Sequence, residues 1–172
     1  GMPDLDFRIE LGPNLSWDIV ELDSGQLQLQ LPFRAAFSLG SKFAEYQGLT
    51  FTPRIYLRLP MGEWRYTATL GPHYSDRRFH DYFYSVAPRF VTADREAFEA
   101  DGGYSATRLS FSVNRYFNKL FVGGYLRYYN MQGADNRDSP LFIREHNYSV
   151  GVIVSWVFSK SKRMVEVDPA FE

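Results

Sequence analysis

The stretch GPHYSDRRFHDYFYSVAPRF (71–90) gathers more chemistry-bearing side chains than any other part of the sequence. It holds His73, Asp76, Arg77, Arg78, His80, Asp81, Tyr82 and Tyr84 in close succession. Three uses suit such a set. Arginines present paired N–H donors that match phosphate or carboxylate oxygens, so Arg77, Arg78, His80, Asp81, Tyr82 and Tyr84 are candidate residues of a binding or plug loop. A hydrolase would take His80 as base, Ser75 or Ser85 as nucleophile and Asp81 as orienter. Such triads are set by geometry rather than by nearness in sequence, and the Gly-x-Ser-x-Gly elbow that commonly presents the serine is missing. The third use is structural, with polar groups tying a long loop to a neighbouring wall. That reading is favoured, and catalysis is not expected.

Other chemistry has little to work with. ADNRDSPLF (134–142) brings Asp135 and Asp138 around Arg137, which would suit a cation but more often forms a solvated turn. The sequence contains no cysteine, so disulfides and thiolate metal sites are excluded. Histidines 73, 80 and 146 are too few and scattered for a metal centre, and no cofactor is expected. A net charge of −1 and a pI near 6.4 lack the basic footprint of a nucleic-acid binder.

The elements that must hold these residues show a two-residue period. In QLQLQLPFRAAF (26–37) glutamine and leucine alternate, which puts a wet and a greasy face on one strand. Six further segments do the same, near 6–20, 49–59, 64–71, 104–116, 120–128 and 147–158. No amphipathic helix is expected, and the fold class is all-β and antiparallel. The segments run to about 10–14 residues, longer than the ~5–6 of ordinary strands and sufficient for a tilted membrane crossing of ~9–11. Short turns near 23–25, 60–63 and 117–119 alternate with long outer loops expected near 39–48, 75–103 and 132–146. That asymmetry marks an up-and-down transmembrane β-barrel.

Charge placement agrees. Arg8, Arg34, Arg54, Arg58, Arg65, Arg108 and Arg127 all share the polar face, where a lumen would enclose them. Trp17, Trp64, Tyr66, Tyr148 and Trp156 suit interfacial aromatic girdles. The alternative is a soluble sandwich or lipocalin-like barrel with its greasy faces inward. Pro13, Pro32, Pro53 and Pro72 favour it, since proline cannot donate to a ladder; in a barrel they should mark bulges or rims. Bacterial barrels close with an even strand number, so the seven segments, about seven or eight strands, are expected to be the C-terminal portion of a longer barrel missing N-terminal strands, or an incompletely closed one. Residues 1–158 form the barrel domain and 159–172 a C-terminal tail.

LPFRAAF, GPHYSDRRFHDYFYSV, GGYSATRLSFSV, DSPLF and YSVGVIVSWVF together resemble the MipA/OmpV family over about Leu31 to Phe158, the loop blocks DRRFHDYFYSV and DSPLF most specifically. The resemblance implies an outer-membrane barrel of Gram-negative bacteria, surrounded by lipid and lipopolysaccharide. It further implies a scaffold that joins a membrane-bound lytic transglycosylase to a penicillin-binding murein synthase, with no catalytic residues to carry over. An outer-membrane enzyme acting on lipid or lipopolysaccharide is the alternative within the membrane. Family members carry a signal peptide and further N-terminal strands, and this sequence continues for a tail beyond the terminal aromatic Phe158.

Overall fold

The computed structural model describes residues 6–40 and 43–158; the tail expected at 159–172 lies outside them. Nine strands form one antiparallel sheet: β1 (Arg8–Leu11), β2 (Asn14–Leu22), β3 (Gly25–Leu39), β4 (Phe43–Phe51), β5 (Arg54–Met61), β6 (Trp64–Ser75), β7 (Gly103–Phe117), β8 (Leu120–Asn130) and β9 (His146–Trp156). β1 and β2 lie end to end against β3, and β4 and β5 lie end to end between β3 and β6. The nine strands are therefore seven passes, matching the seven periodic segments. Among the described residues no ladder joins β9 to β1 or β2.

Proline explains the two cuts. Gly12-Pro13 separates β1 from β2, and Thr52-Pro53 separates β4 from β5. The registers bring Pro13, Pro32, Pro53 and Pro72 near one another across four adjacent passes. The carbonyls of Pro13 and Pro32 still find donors. The Phe33 N–H bonds Pro13 O at 3.0 Å and the Thr52 N–H bonds Pro32 O at 3.1 Å. The Arg34 guanidinium also donates to the carbonyls of Gly12, Pro13 and Phe33 at 2.7, 2.6 and 2.9 Å. One inward arginine thus satisfies acceptors that the missing proline N–H leaves short.

The two faces have opposite character. Glutamines of β3 point inward: Gln30 is only 7 % exposed. It accepts from Arg54 Nε and Nη2 at 3.0 and 2.8 Å and donates to Gln28, which donates to Asp18. Gln26 accepts from Arg58 Nη2 at 2.8 Å. Thr50, Thr52 and Thr69 are buried with them. Outside, Leu15, Trp17, Phe33, Ile55, Leu70, Phe111, Leu126, Val150 and Trp156 are exposed, and Val152 is 79 % exposed. Rings on this outer side stack in a row, with Phe33–Phe51 at 4.4 Å and Phe51–Tyr74 at 6.5 Å. Near the short turns Arg115, on the same greasy face, lies over Phe117 at 4.4 Å and pairs with Glu63. A long cation that covers apolar rings while its head reaches a carboxylate suits a membrane–water boundary. No helix of the described residues is long and apolar enough to cross a membrane, which leaves crossing by strands open.

Three features depart from the sequence expectation. A bulge between Asp18 and Val20 shifts the phase of β2, so Val20, not Ile19, keeps the outward register. Residues 43–51, expected to lie largely in a long loop, are β4. The 75–103 loop contains a helix where none was expected, α1 (Arg77–Tyr84). Asp76 caps it by accepting from the Phe79 N–H at 2.8 Å. Its apolar stripe is short: Phe79 and Phe83, one turn apart, meet at 5.2 Å with their rings tilted by 46°. Gly48 on β4 makes room. Its φ is +122°, and a Cβ there would sit 2.5 Å from the Phe79 nitrogen, so only glycine lets the first turn of α1 rest on the strand. The small apolar core collects around α1 and the loops as Phe79, Val86, Ala100, Ala106 and Ala134, with Ala36 of β3 opposite Gly48.

Candidate functional site

α1 lies over the loop-side end of the polar face and closes a cavity of about 410 Å³. β1 contributes Arg8 and Glu10, β6 His73, β7 Ser105 and Arg108, and β8 Arg127 and Tyr129. His80 holds the helix in place and is 1 % exposed. With its proton on Nδ1, the ring donates to the Asp101 carbonyl at 2.6 Å, and Nε2 accepts from the Ser105 hydroxyl at 2.7 Å. Ser105 meets Ser75 at 3.0 Å, Ser75 meets His73 Nε2 at 3.5 Å, and His73 Nδ1 meets Thr52 Oγ1 at 2.7 Å. Helix and wall are thus joined by one continuous polar chain that spans three passes. Such a buried chain stabilises only while every member is paired.

The 134–142 loop completes the attachment. Asn136 is buried, accepts from the Asp101 N–H and donates to its carbonyl, both at 2.9 Å, with its amide against the His80 ring. The Ser139 hydroxyl donates to the Tyr84 carbonyl at 2.6 Å and so occupies one free acceptor at the end of α1. Asp135 accepts from the Tyr104 N–H, where the chain re-enters the sheet. The expected solvated turn is therefore a buried clasp. Arg137 and Asp138 stay exposed, as a 3.7 Å pair, and Asp135 and Pro140 are exposed beside the buried Asn136 and Ser139. A cation site at Asp135 and Asp138 gains no support, because Asp135 is spent on the backbone and no cluster of three acidic or histidine ligands occurs among the described residues.

The triad that a hydrolase would need, His80 with Ser75 or Ser85 and Asp81, does not assemble. Ser85 donates to Asp81 Oδ1 at 2.7 Å and accepts from the Ala100 N–H, which leaves it bonded to neither ring nitrogen of His80. Ser75 reaches His80 only through Ser105. Ser105, Asp101 and Asn136 were missed by the sequence reading because each acts across 20 residues or more of chain. Arg77 faces solvent and pairs with Glu99 at 3.0 Å and with Asp81 at 4.0 Å. Arg78 lies over the Tyr46 ring at 5.1 Å. The Tyr82 hydroxyl accepts from the Asp6 N–H at 2.8 Å. Tyr84 lines the cavity, and burial pushes its phenol pKa up, keeping the hydroxyl neutral.

The seven arginines of the polar face divide by place. Arg34, Arg54 and Arg58 are engaged along the proline row and the glutamine ladder, while Arg65 lies over Tyr116 at 5.8 Å near the short turns. Arg8, Arg108 and Arg127 line the cavity. Arg8 is held between Phe79 and Phe83, 4.6 and 4.7 Å from their centroids, and pairs with Glu10 at 3.2 Å.

The two loop blocks that carried the resemblance thus meet in space, DRRFHDYFYSV as α1 and DSPLF as its clasp. A family model described as MltA-interacting protein MipA matches residues 1–158. The chain belongs to the MipA family. No match was found among curated proteins or among solved structures. For this MipA-family chain the match covers every described strand, α1 and the cavity-lining arginines alike. The family is one of outer-membrane-associated interaction proteins.

Proposed function

We propose that this chain is a barrel of the bacterial outer membrane with a non-catalytic, scaffolding role in peptidoglycan remodelling. Its first partner is a lytic transglycosylase of the MltA type, and its second a penicillin-binding murein synthase. The observation that carries the membrane part is the reversed burial: Gln30, Thr50 and Thr69 enclosed, Leu126, Val150 and Val152 exposed. A soluble lipocalin-like barrel requires the opposite arrangement. Lipid chains would cover the outer leucines and valines, and lipopolysaccharide the loop side. The family description supports the first partner by name. The polar chain around His80 is satisfied at both ends and fixes α1 in place, which supports a structural use of these residues over hydrolysis of lipid.

The partner claim is tested by immobilising the full chain in mild detergent and offering purified MltA-type transglycosylase. Retention that survives washing, and that brings the murein synthase into a ternary complex, is the expected outcome. Passage of the transglycosylase at the rate of an unrelated barrel control would refute the scaffold.

A further inference from the structure

The cavity under α1 holds more positive charge than the fold uses. Arg8, Arg108 and Arg127 face it, with Glu10 as the one acidic group in its lining. Three guanidiniums against one carboxylate leave a formal lining charge of +2. Among the described residues no carboxylate pairs with Arg108 or Arg127. Arg8 Nη1 and Arg127 Nε are buried donors without any hydrogen-bond partner. Arg127 has only a 3.4 Å contact to the Tyr129 hydroxyl and a position over the Tyr125 ring. Arg54 stands within electrostatic reach of both Arg108 and Arg127, adding like charge from behind. Orphaned guanidinium donors in a partly dry space cost stability unless something accepts from them.

We propose that this cavity binds a phosphate monoester. Such a group carries about −1.5 to −2 charge at neutral pH and three acceptor oxygens, which matches the excess of +2 and the orphaned donors. Arg127 and Arg108 hold the phosphate from adjacent strands, and Arg8, locked between two rings, supplies the third contact from β1. Tyr84, Tyr129 and Asn147 line the remaining wall and offer neutral partners for an organic body. A volume of about 410 Å³ lies within the ~300–1,000 Å³ of small-molecule sites. The inference does not depend on the scaffold reading, since it uses only the lumen.

The experiment is calorimetric titration of the detergent-folded full chain with glycerol 3-phosphate, beside nanodiscs containing phosphatidic acid and a glycerol control. Saturable binding of glycerol 3-phosphate is expected, weakened about tenfold or more by Arg108→Gln and by Arg127→Gln. Arg137→Gln, at an exposed loop pair, should leave it unchanged. Binding of phosphatidic acid alone, with the same dependence on Arg108 and Arg127, would support the site and assign the phosphate to a lipid headgroup. In the unsubstituted chain, glycerol 3-phosphate (or the lipid, if only it binds) should protect Arg108 and Arg127 from phenylglyoxal, read by mass spectrometry. Silence from both phosphate probes, affinities indifferent to both substitutions, or equal arginine modification with and without ligand would overturn the proposal.

Discussion

Leu126→Arg should destabilise the folded chain in a bilayer by about 2–4 kcal/mol, the cost of an arginine facing lipid near the midplane of a barrel. Leu126 sits between Phe111 and Val150 in register, and all three are exposed on the outer face. In water that same substitution at an exposed site would cost within ~0.5 kcal/mol. The contrast makes the residue diagnostic. Ser110→Glu, one position along β7 from Phe111 and directly opposite Arg127 in register, should be far milder, because its carboxylate faces a guanidinium there. Denaturant titration of both variants in lipid vesicles reads the difference. Equal, small effects for both would mean that the outer face does not meet hydrocarbon.

His80→Ala should free α1 from the sheet. The substitution leaves a void in the best-buried part of the molecule and strips partners from Ser105 and the Asp101 carbonyl. Ser105 keeps Ser75 and the Asp101 carbonyl keeps Asn136, so each lost bond costs ~0.5–1.5 kcal/mol, and with the void a local loss of about 3 kcal/mol follows. That is roughly a 100-fold rise in the open population of the loop. Arg77, Arg78, Arg89 and Arg95 all lie in this loop, so trypsin cleavage there should accelerate by a similar factor while the strands stay intact. Asp81→Ala is the control. Asp81 is half-exposed, with a long contact to Arg77 and a bond to Ser85, and its loss should change cleavage only a few-fold. Equal rates for the two variants would remove His80 from its place as the helix anchor.

These expectations show how much of the molecule was legible in its residues. Period-two alternation survives any packing context, because a strand has only two sides; QLQLQL announced both sides of β3, and the structure joins the glutamines to Arg54, Arg58 and Asp18 on one side, with Gln30 buried. The same rule failed at Ile19, where a bulge inserts one residue and reverses the phase without leaving a mark in composition. β4 was hidden for a related reason. FAEYQGLTF carries Gly48 at +122° and irregular pairing near Ala36 and Ser38, so its alternation breaks where α1 lands on it. The eight residues of α1 are too few for a helical period to stand out, and only Asp76, as a cap, signalled a start. The site itself was half legible. RRFHDY singled out His80, but the partners that decide its role come from other passes and loops, and nothing local to Ser105 or Asn136 distinguishes them from solvated polar residues. The arginines were readable as a face. Their division into engaged ones and three around a cavity depends on where α1 folds, which only the coordinates reveal.

Because this chain has no cysteine, single cysteines can carry a spin label at chosen positions, and this gives the most direct test of which side meets lipid. Labels at Leu126 and Val152, with the chain in vesicles, should relax strongly with dissolved oxygen and weakly with a water-soluble nickel chelate. Labels at Gln28 and Ser110 should show the reverse preference or low access to both. Strong nickel access at Leu126 and Val152 would contradict an acyl-wrapped exterior and, with it, the outer-membrane reading.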